Sequence, residues 1–305
     1  MPNNGFEKKL ILNQWVFSLL GVERLEELQA WLKDPALEGF DEENISHFFA
    51  ILSTHLSNRG SIQPDDLLRY DNNIVRHWQR ITERRNLEEG RTLFPKYFQY
   101  LALLFTEIYL DHNFRDPEQL WVEINQTIDT YNQQANQQER VEAFSQRELN
   151  KLAFWMATGS GKTLLMHCNL LQYQHYLQKH NQTKGVNRTL LLTPYEGLSQ
   201  QHLKEFNRSN IPAEIFSKQS LGGMFNNQSL IEIIDIHKLA DENGDKTVDV
   251  AAFEGNNLVM VDEGHSGASG TTWMRRREAL CEDGFSFEYS ATFGQAVKND
   301  ALKKS

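Results

Sequence analysis

Lys151–Thr163 reads K-L-A-F-W-M-A-T-G-S-G-K-T, and the fold turns on this stretch. A short apolar run, Leu152–Met156, enters the turn Thr158-Gly159-Ser160-Gly161-Lys162-Thr163. Beyond it Leu164, Leu165, Cys168, Leu171 and Leu177 recur at helical spacing. Strand, glycine loop and helix in that order are the context in which a phosphate-binding loop works. The glycines let backbone N–H groups approach phosphate oxygens, and the helix N-terminus adds its positive dipole end. Lys162 then reaches the β- and γ-phosphates of a nucleotide, and the Thr163 hydroxyl is a ligand for Mg²⁺. The strict motif has glycine six residues before the lysine, where Met156 stands here.

Outward from the loop, the second half keeps one rhythm. Apolar runs at Leu152–Met156, Leu190–Thr193, Ile231–Ile236, Leu258–Val261 and Phe285–Tyr289 alternate with helical patterns. Runs this short, apolar on both faces, suit central strands of a parallel sheet, and the helices between them suit crossovers. The fold class expected is α/β. One of these runs, Asn257–His265, reads N-L-V-M-V-D-E-G-H and ends in two carboxylates. Ligands of open α/β sheets bind at the carboxyl ends of the strands. Asp262 there suits the Mg²⁺ shell, and Glu263 suits the orientation and deprotonation of an attacking water.

The first half reads differently. Ile45, Phe48, Phe49, Leu52 and Leu56 fall on one helical face behind Asp41, a candidate N-cap, and Tyr97, Leu101, Leu104, Phe105 and Ile108 repeat the pattern. Pro2, Pro35, Pro64, Pro95 and Pro117 punctuate the helices. Asn132–Gln138, all Asn, Gln and one Ala, is either a boundary or the polar end of a helix. The division expected is a helical domain over residues 1–140 and an α/β domain over 141–305. Lys8 and Lys9 before Leu10–Val22 mimic a signal peptide, but Asn13 and Gln14 interrupt it and acidic residues follow, so an amphipathic helix is expected.

The chain of 305 residues carries net charge −10, and residues 1–150 alone hold 15 basic and 24 acidic side chains. That balance excludes a generally basic nucleic-acid binder while leaving room for a local track. Two cysteines exclude a disulfide framework, no run is long enough to span a membrane, and a reducing, cytoplasmic setting follows. Two tracks are candidates: Arg76, Arg80 and Arg84 with Arg85, either a phosphate-following stripe or a mixed-charge face, and Arg275-Arg276-Arg277, either a nucleic-acid contact or plain helix surface. His167, His175 and His180 have the spacing of a helix surface and no metal partners, so no zinc is assigned, and Cys168 and Cys281 read as core.

Taken in order, the segments resemble the first RecA-like domain of superfamily 2 helicases and translocases. Thr158–Thr163 is similar to motif I, Thr193–Gln200 to motif Ia, Asp262–His265 to motif II in a D-E-G-H form with Gly264 replacing the usual Ala, and Ser290–Thr292 to motif III. Phe154–Thr163 and Phe285–Phe293 resemble most closely the DEAD/DEAH-type subunits of type III restriction enzymes. The resemblance implies a RecA-like phosphate-loop domain with a parallel sheet, preceded by an all-helical domain. It implies ATP and Mg²⁺ as cofactors: nucleotide held by Thr158, Gly159, Ser160, Gly161, Lys162 and Thr163, metal by Thr163 and Asp262, and Glu263 as general base. It also implies coupling of His265 to Ser290 and Thr292 and nucleic-acid contact near Thr193 and Pro194. Gln146, 16 residues before Lys162, is either an adenine reader like the upstream glutamine of many such helicases or one more residue of a Gln-rich stretch.

The activity implied is DNA-dependent ATP hydrolysis in a restriction or anti-phage system, on double-stranded DNA, beside a methyltransferase or specificity subunit. The sequence reaches Ser305 soon after motif III, with no second RecA-like domain, motif VI arginine or nuclease motif found in it. Residues 1–305 are therefore expected to be the N-terminal piece of a larger machine, or a truncated gene product, with weak turnover. The competing class is a nucleotide-binding interaction module without useful turnover, in which the acidic helical domain docks a partner.

Overall fold

A computed structural model describes residues 7–182, 185–217, 230–240, 248–253, 255–262, 276, 278–282 and 284–291. The chain divides into two compact units. One takes Met1–Thr82, Glu89–Leu149 and Cys168–His180, and the other takes Glu83–Glu88, Asn150–His167 and Asn181–Ser305.

The first unit is helical: α1 (Ile11–Leu20), α2 (Leu25–Leu32), α3 (His47–Leu56), most of α4 (Pro64–Glu89), α5 (Tyr97–Arg115), α6 (Pro117–Gln134) and the later turns of α7 (Lys162–Lys179). Proline opens α4 and α6, where its fixed φ suits the first turn and its missing N–H removes no helical bond. α6 runs through Gln134, so the polar tract begins as a helix end. α3 departs from expectation. Its N-cap is Ser46, whose hydroxyl accepts from Phe49 N at 3.0 Å, while Asp41 accepts from Glu43 N and Ile45 N and closes the turn before it. Both residue types cap well; Asp41 loses because its side chain satisfies the turn instead.

The second unit holds a six-stranded parallel sheet. Its strands are β1 (Lys151–Trp155), β2 (Thr189–Thr193), β3 (Ala213–Ile215), β4 (Ile231–Asp235), β7 (Leu258–Asp262) and β8 (Phe285–Ser290), in the order β1-β8-β7-β2-β4-β3. A two-residue pair, β5 (Leu239–Ala240) and β6 (Val248–Asp249), stands apart. The five expected strands are present with ends within one residue of those read from sequence. β2, β4, β7 and β8 are buried at every position, as strands covered on both faces must be. Truncating one of their large residues, such as Leu191 or Phe287, to Ala should cost about 2–5 kcal/mol. β3 was not read from sequence. Ala-Glu-Ile is too short to show a period, and it lies half-buried at the sheet edge.

Parallel pairing sends all strands out of the sheet at one end. Trp155 pairs with Ser290, Asp262 with Tyr289, and Thr193 with Asp235. Leu192 pairs with Val261, so Thr193 and Asp262 leave side by side. The turn into β8 needs Gly284, because a Cβ there would stand 2.0 Å from Asn257 O. Among the described residues no helix is long and apolar enough to cross a membrane.

Candidate functional site

The end of β1 opens into the glycine loop, and Met156 N donates to Ser290 O at 3.0 Å, which holds the loop entrance against β8. Gly159 (φ +76°) and Gly161 (φ +85°) take left-handed backbone. A Cβ on Gly159 would meet nothing within 4 Å, so this glycine serves conformation, not packing. Alternating left-handed residues turn successive N–H groups toward one concavity, and α7 starts at Lys162 directly behind. The loop therefore aims backbone donors and a helix N-terminus outward from the carboxyl end of the sheet.

Asp262 ends β7, two strands from β1 and about 10 Å from it at the usual strand spacing. The carboxylate is nearly buried and accepts from His202 Nε2 at 2.8 Å. The described residues form no group of three or more His, Cys, Asp or Glu able to hold a metal. One carboxylate and one hydroxyl, Asp262 and Thr163, are hard oxygen donors. They fit Mg²⁺, which keeps waters and takes the rest of its shell from nucleotide phosphates.

Ser290, fully buried at the end of β8, lies beside this edge, whereas Glu263, Gly264, His265 and Thr292 lie outside the described residues. Arg275 and Arg277 do too, while Arg276 donates from Nη1 to Leu239 O at 2.9 Å. Thr193 is fully buried, with its Oγ1 2.6 Å from Ser199 Oγ. Its side chain closes the start of α8 (Glu196–Arg208). Pro194 is half-exposed, and the next residue, Tyr195, is the exposed aromatic of this turn. Trp155, at the end of β1, is exposed as well, with its indole N–H on Ala291 O at 2.9 Å. Gln146 is exposed, in a short 3₁₀ turn before β1.

Arg85 and His167 differ from their sequence reading, and Arg84 matches one of its two alternatives. Arg85 is buried, donating to Ser209 Oγ at 2.8 Å and pairing with Glu205. Arg84 pairs with Glu88 at 2.8 Å, so this end of the arginine stripe is the mixed-charge face. His167 is no surface residue. It is buried against Phe206, with ring centroids 4.2 Å apart and Nδ1 2.8 Å from Ser209 Oγ. Burial, and then the charge of Arg85, hold its pKa well below the usual histidine range. Cys168 and Cys281 are buried as expected.

His202 is the residue that sequence reasoning missed. The available signal was its place with Leu198 and Phe206 on one face of a helix. The unit also has a shallow groove of about 540 Å³ lined by Arg84, Asn207, Asn210, Ile211 and Pro212, none of them from the Thr158–Thr163 loop.

A family model described as type III restriction enzyme, res subunit, matches residues 127–295, more than half of the chain. No curated protein matches the sequence.

Proposed function

The chain belongs to the type III restriction enzyme res subunit family, and from that premise we propose that it is the ATP-binding side of a DNA-dependent motor. Residues 127–295 are a superfamily 2 helicase domain of RecA-like fold, and ATP hydrolysis of the helicase type is the activity of the family. In the proposal, Thr158–Thr163 hold the nucleotide phosphates, with Lys162 on the β- and γ-oxygens. Thr163 and Asp262 hold the Mg²⁺ shell. The cation, when bound, neutralises charge that develops on the transferring phosphoryl group. Glu263 orients and deprotonates the attacking water, and His265 relays the state of the site to Ser290 and Thr292. The observation that carries this reading is the shared exit of β1 and β7 at one sheet end, loop on one strand and Asp262 on the other.

The setting proposed is the cytoplasm, in a restriction or anti-phage system acting on double-stranded DNA with a methyltransferase or specificity subunit. A second RecA-like domain supplies the opposing arginine, a group worth ~10³–10⁵ in rate, so turnover by these residues alone is weak.

Thermal unfolding with Mg·ATP tests the site. A ligand that binds only the folded state at 100 times its Kd stabilises by about 2.7 kcal/mol. The melting temperature of the chain should rise in millimolar Mg·ATP, and Lys162→Ala should remove most of the rise. An unchanged melting temperature for the parent would overturn the reading.

A further inference from the structure

His202 lies on α8 with its side chain 3% exposed. A carboxylate only accepts, so the 2.8 Å contact is an Nε2–H donated to Asp262 Oδ2. Nδ1 is buried without a hydrogen-bond partner, so the contact to Asp262 is the ring's polar one, beside its packing on Phe206 at 6.4 Å between centroids. The helix presents one face to this end of the sheet and to the first turns of α7: Ser199 Oγ meets Thr193, His202 meets Asp262, Phe206 lies against His167, and Ser209 just past the helix end bonds His167. Burial on that face leaves the imidazole one orientation.

An aspartate χ2 is broad and nearly two-fold, so each donor held against a strand-end carboxylate narrows the planes it samples. A donor fixed on one oxygen selects a single plane and sets where the other oxygen points. We propose that His202 is a positioning residue for Asp262, holding the carboxylate in the orientation that a Mg²⁺–nucleotide requires. The proposal rests on the nucleotide-site reading above. Partners of this kind around a metal-binding carboxylate are commonly worth ~10–100-fold in metal affinity.

The test is calorimetric affinity of the whole chain for a non-hydrolysable ATP analogue, measured in Mg²⁺ and again in EDTA. The ratio isolates the contribution of the metal. His202→Phe keeps a ring of similar size and removes the N–H. It should lower the ratio ~10–100-fold and leave the EDTA affinity unchanged. His202→Gln returns an N–H near the Nε2 position and should restore most of the ratio. In an Asp262→Asn background His202→Phe should change nothing further, because the two residues then act as one. Should His202→Phe fail to fold, His202→Asn, too short to reach Oδ2, takes its place.

A parent-like ratio in His202→Phe would overturn the proposal, as would His202→Gln behaving like His202→Phe, or a parent whose affinity is equal in Mg²⁺ and EDTA. A parent with no affinity for the analogue in either condition would overturn the nucleotide reading itself, and this proposal with it.

Discussion

Glu107, in the helical unit, and Asp262, in the α/β unit, are both buried carboxylates, and they differ in what surrounds them. Glu107 accepts from Tyr176 Oη at 2.7 Å, Gln172 Nε2 at 2.8 Å and Asn73 Nδ2 at 3.1 Å, with no exposure to solvent. One turn later Asp111 accepts from Lys179 at 2.8 Å, Arg69 at 3.1 Å and Tyr70 at 3.0 Å. Asp71 is held the same way by Ser46 and Tyr100. These acids are enclosed by donors from neighbouring helices, and their work is to tie the helices together. Asp262 instead stands where a strand leaves its sheet, at the same sheet end as a loop with left-handed glycines. Glu107, Asp111 and Asp71 tie helices to one another, whereas Asp262 takes its His202 contact at the lip of a parallel sheet, the end at which ligands of open α/β folds bind.

Two substitutions should break that comparison if it is wrong. Glu263→Gln, next to Asp262 in sequence, should cut ATP turnover by ~10²–10⁴-fold, the usual contribution of a general base. Its stability should stay within about 0.5 kcal/mol of the parent, because Glu→Gln keeps the side chain's volume and opens no cavity. Glu107→Leu should do the reverse. Three donors lose their acceptor in a dry site at about 1–3 kcal/mol each, so the loss should be at least about 3 kcal/mol in chemical unfolding. Nucleotide affinity of the protein that remains folded should be unchanged. A destabilised Glu263→Gln, or a Glu107→Leu that unfolds like the parent, would erase the distinction.

The pH dependence sharpens it. Burial pushes the Glu107 carboxyl up to about 7, against the donors from Tyr176, Asn73 and Gln172, which favour the ionised form. An unfolded glutamate titrates near ~4.3, so the folded state holds this proton more tightly. The contribution to stability is fully present below ~4.3 and is lost as pH rises through about 7. His77 and His175 act in the opposite sense. Burial, then neighbouring positive charge, lowers them to about 3 and about 4, so they cost stability as pH falls below ~6.5. Their effect cancels in a difference between parent and Glu107→Gln. That difference in unfolding free energy should slope by on the order of 1 kcal/mol per pH unit between pH 5 and 7. A flat difference would mean that Glu107 is ionised throughout and the donors outweigh burial.

Legibility in the sequence follows the same division. The strands of the α/β unit could be read almost to the residue, because burial on both faces leaves unbroken apolar runs such as Leu190-Leu191-Leu192. The phosphate loop could be read because its chemistry demands particular residues at fixed offsets. The networks could not. Glu107, Asp111, Gln172 and His202 are polar letters in helical patterns, and single-sequence periodicity assigns such letters to solvent. Only the folded chain shows that residues 65 and 69 positions apart close on one carboxylate, or that His202 and Asp262, 60 apart, share a proton donor and acceptor. Arg85 and His167 were misjudged for the same reason.

The smallest expected effect concerns nucleic acid, where the α/β unit again differs from its acidic companion half. Residues 1–150 hold 15 basic against 24 acidic side chains, which repels phosphate. A single RecA-like side offers few phosphate contacts, so DNA binding should be non-specific, with Kd roughly 10⁻⁴–10⁻⁶ M. Each phosphate neutralised on duplex DNA adds about 0.9 to the slope of log affinity against log salt. Three arginines at 275–277 would add about 2.7 if all touched the backbone. Arg276, however, has Nη1 on Leu239 O at 2.9 Å, which holds that side chain on the protein. The triple change of Arg275, Arg276 and Arg277 to Ala should therefore flatten the slope by about 1.8, for two contacts. Arg276→Ala alone should leave it unaltered. Fluorescence anisotropy across a salt series reads both. A drop near 2.7 in the triple variant would show that Arg276 releases Leu239 for a phosphate. No drop would remove this cluster from the DNA path and leave the exposed turn at Pro194-Tyr195 as the contact to test next.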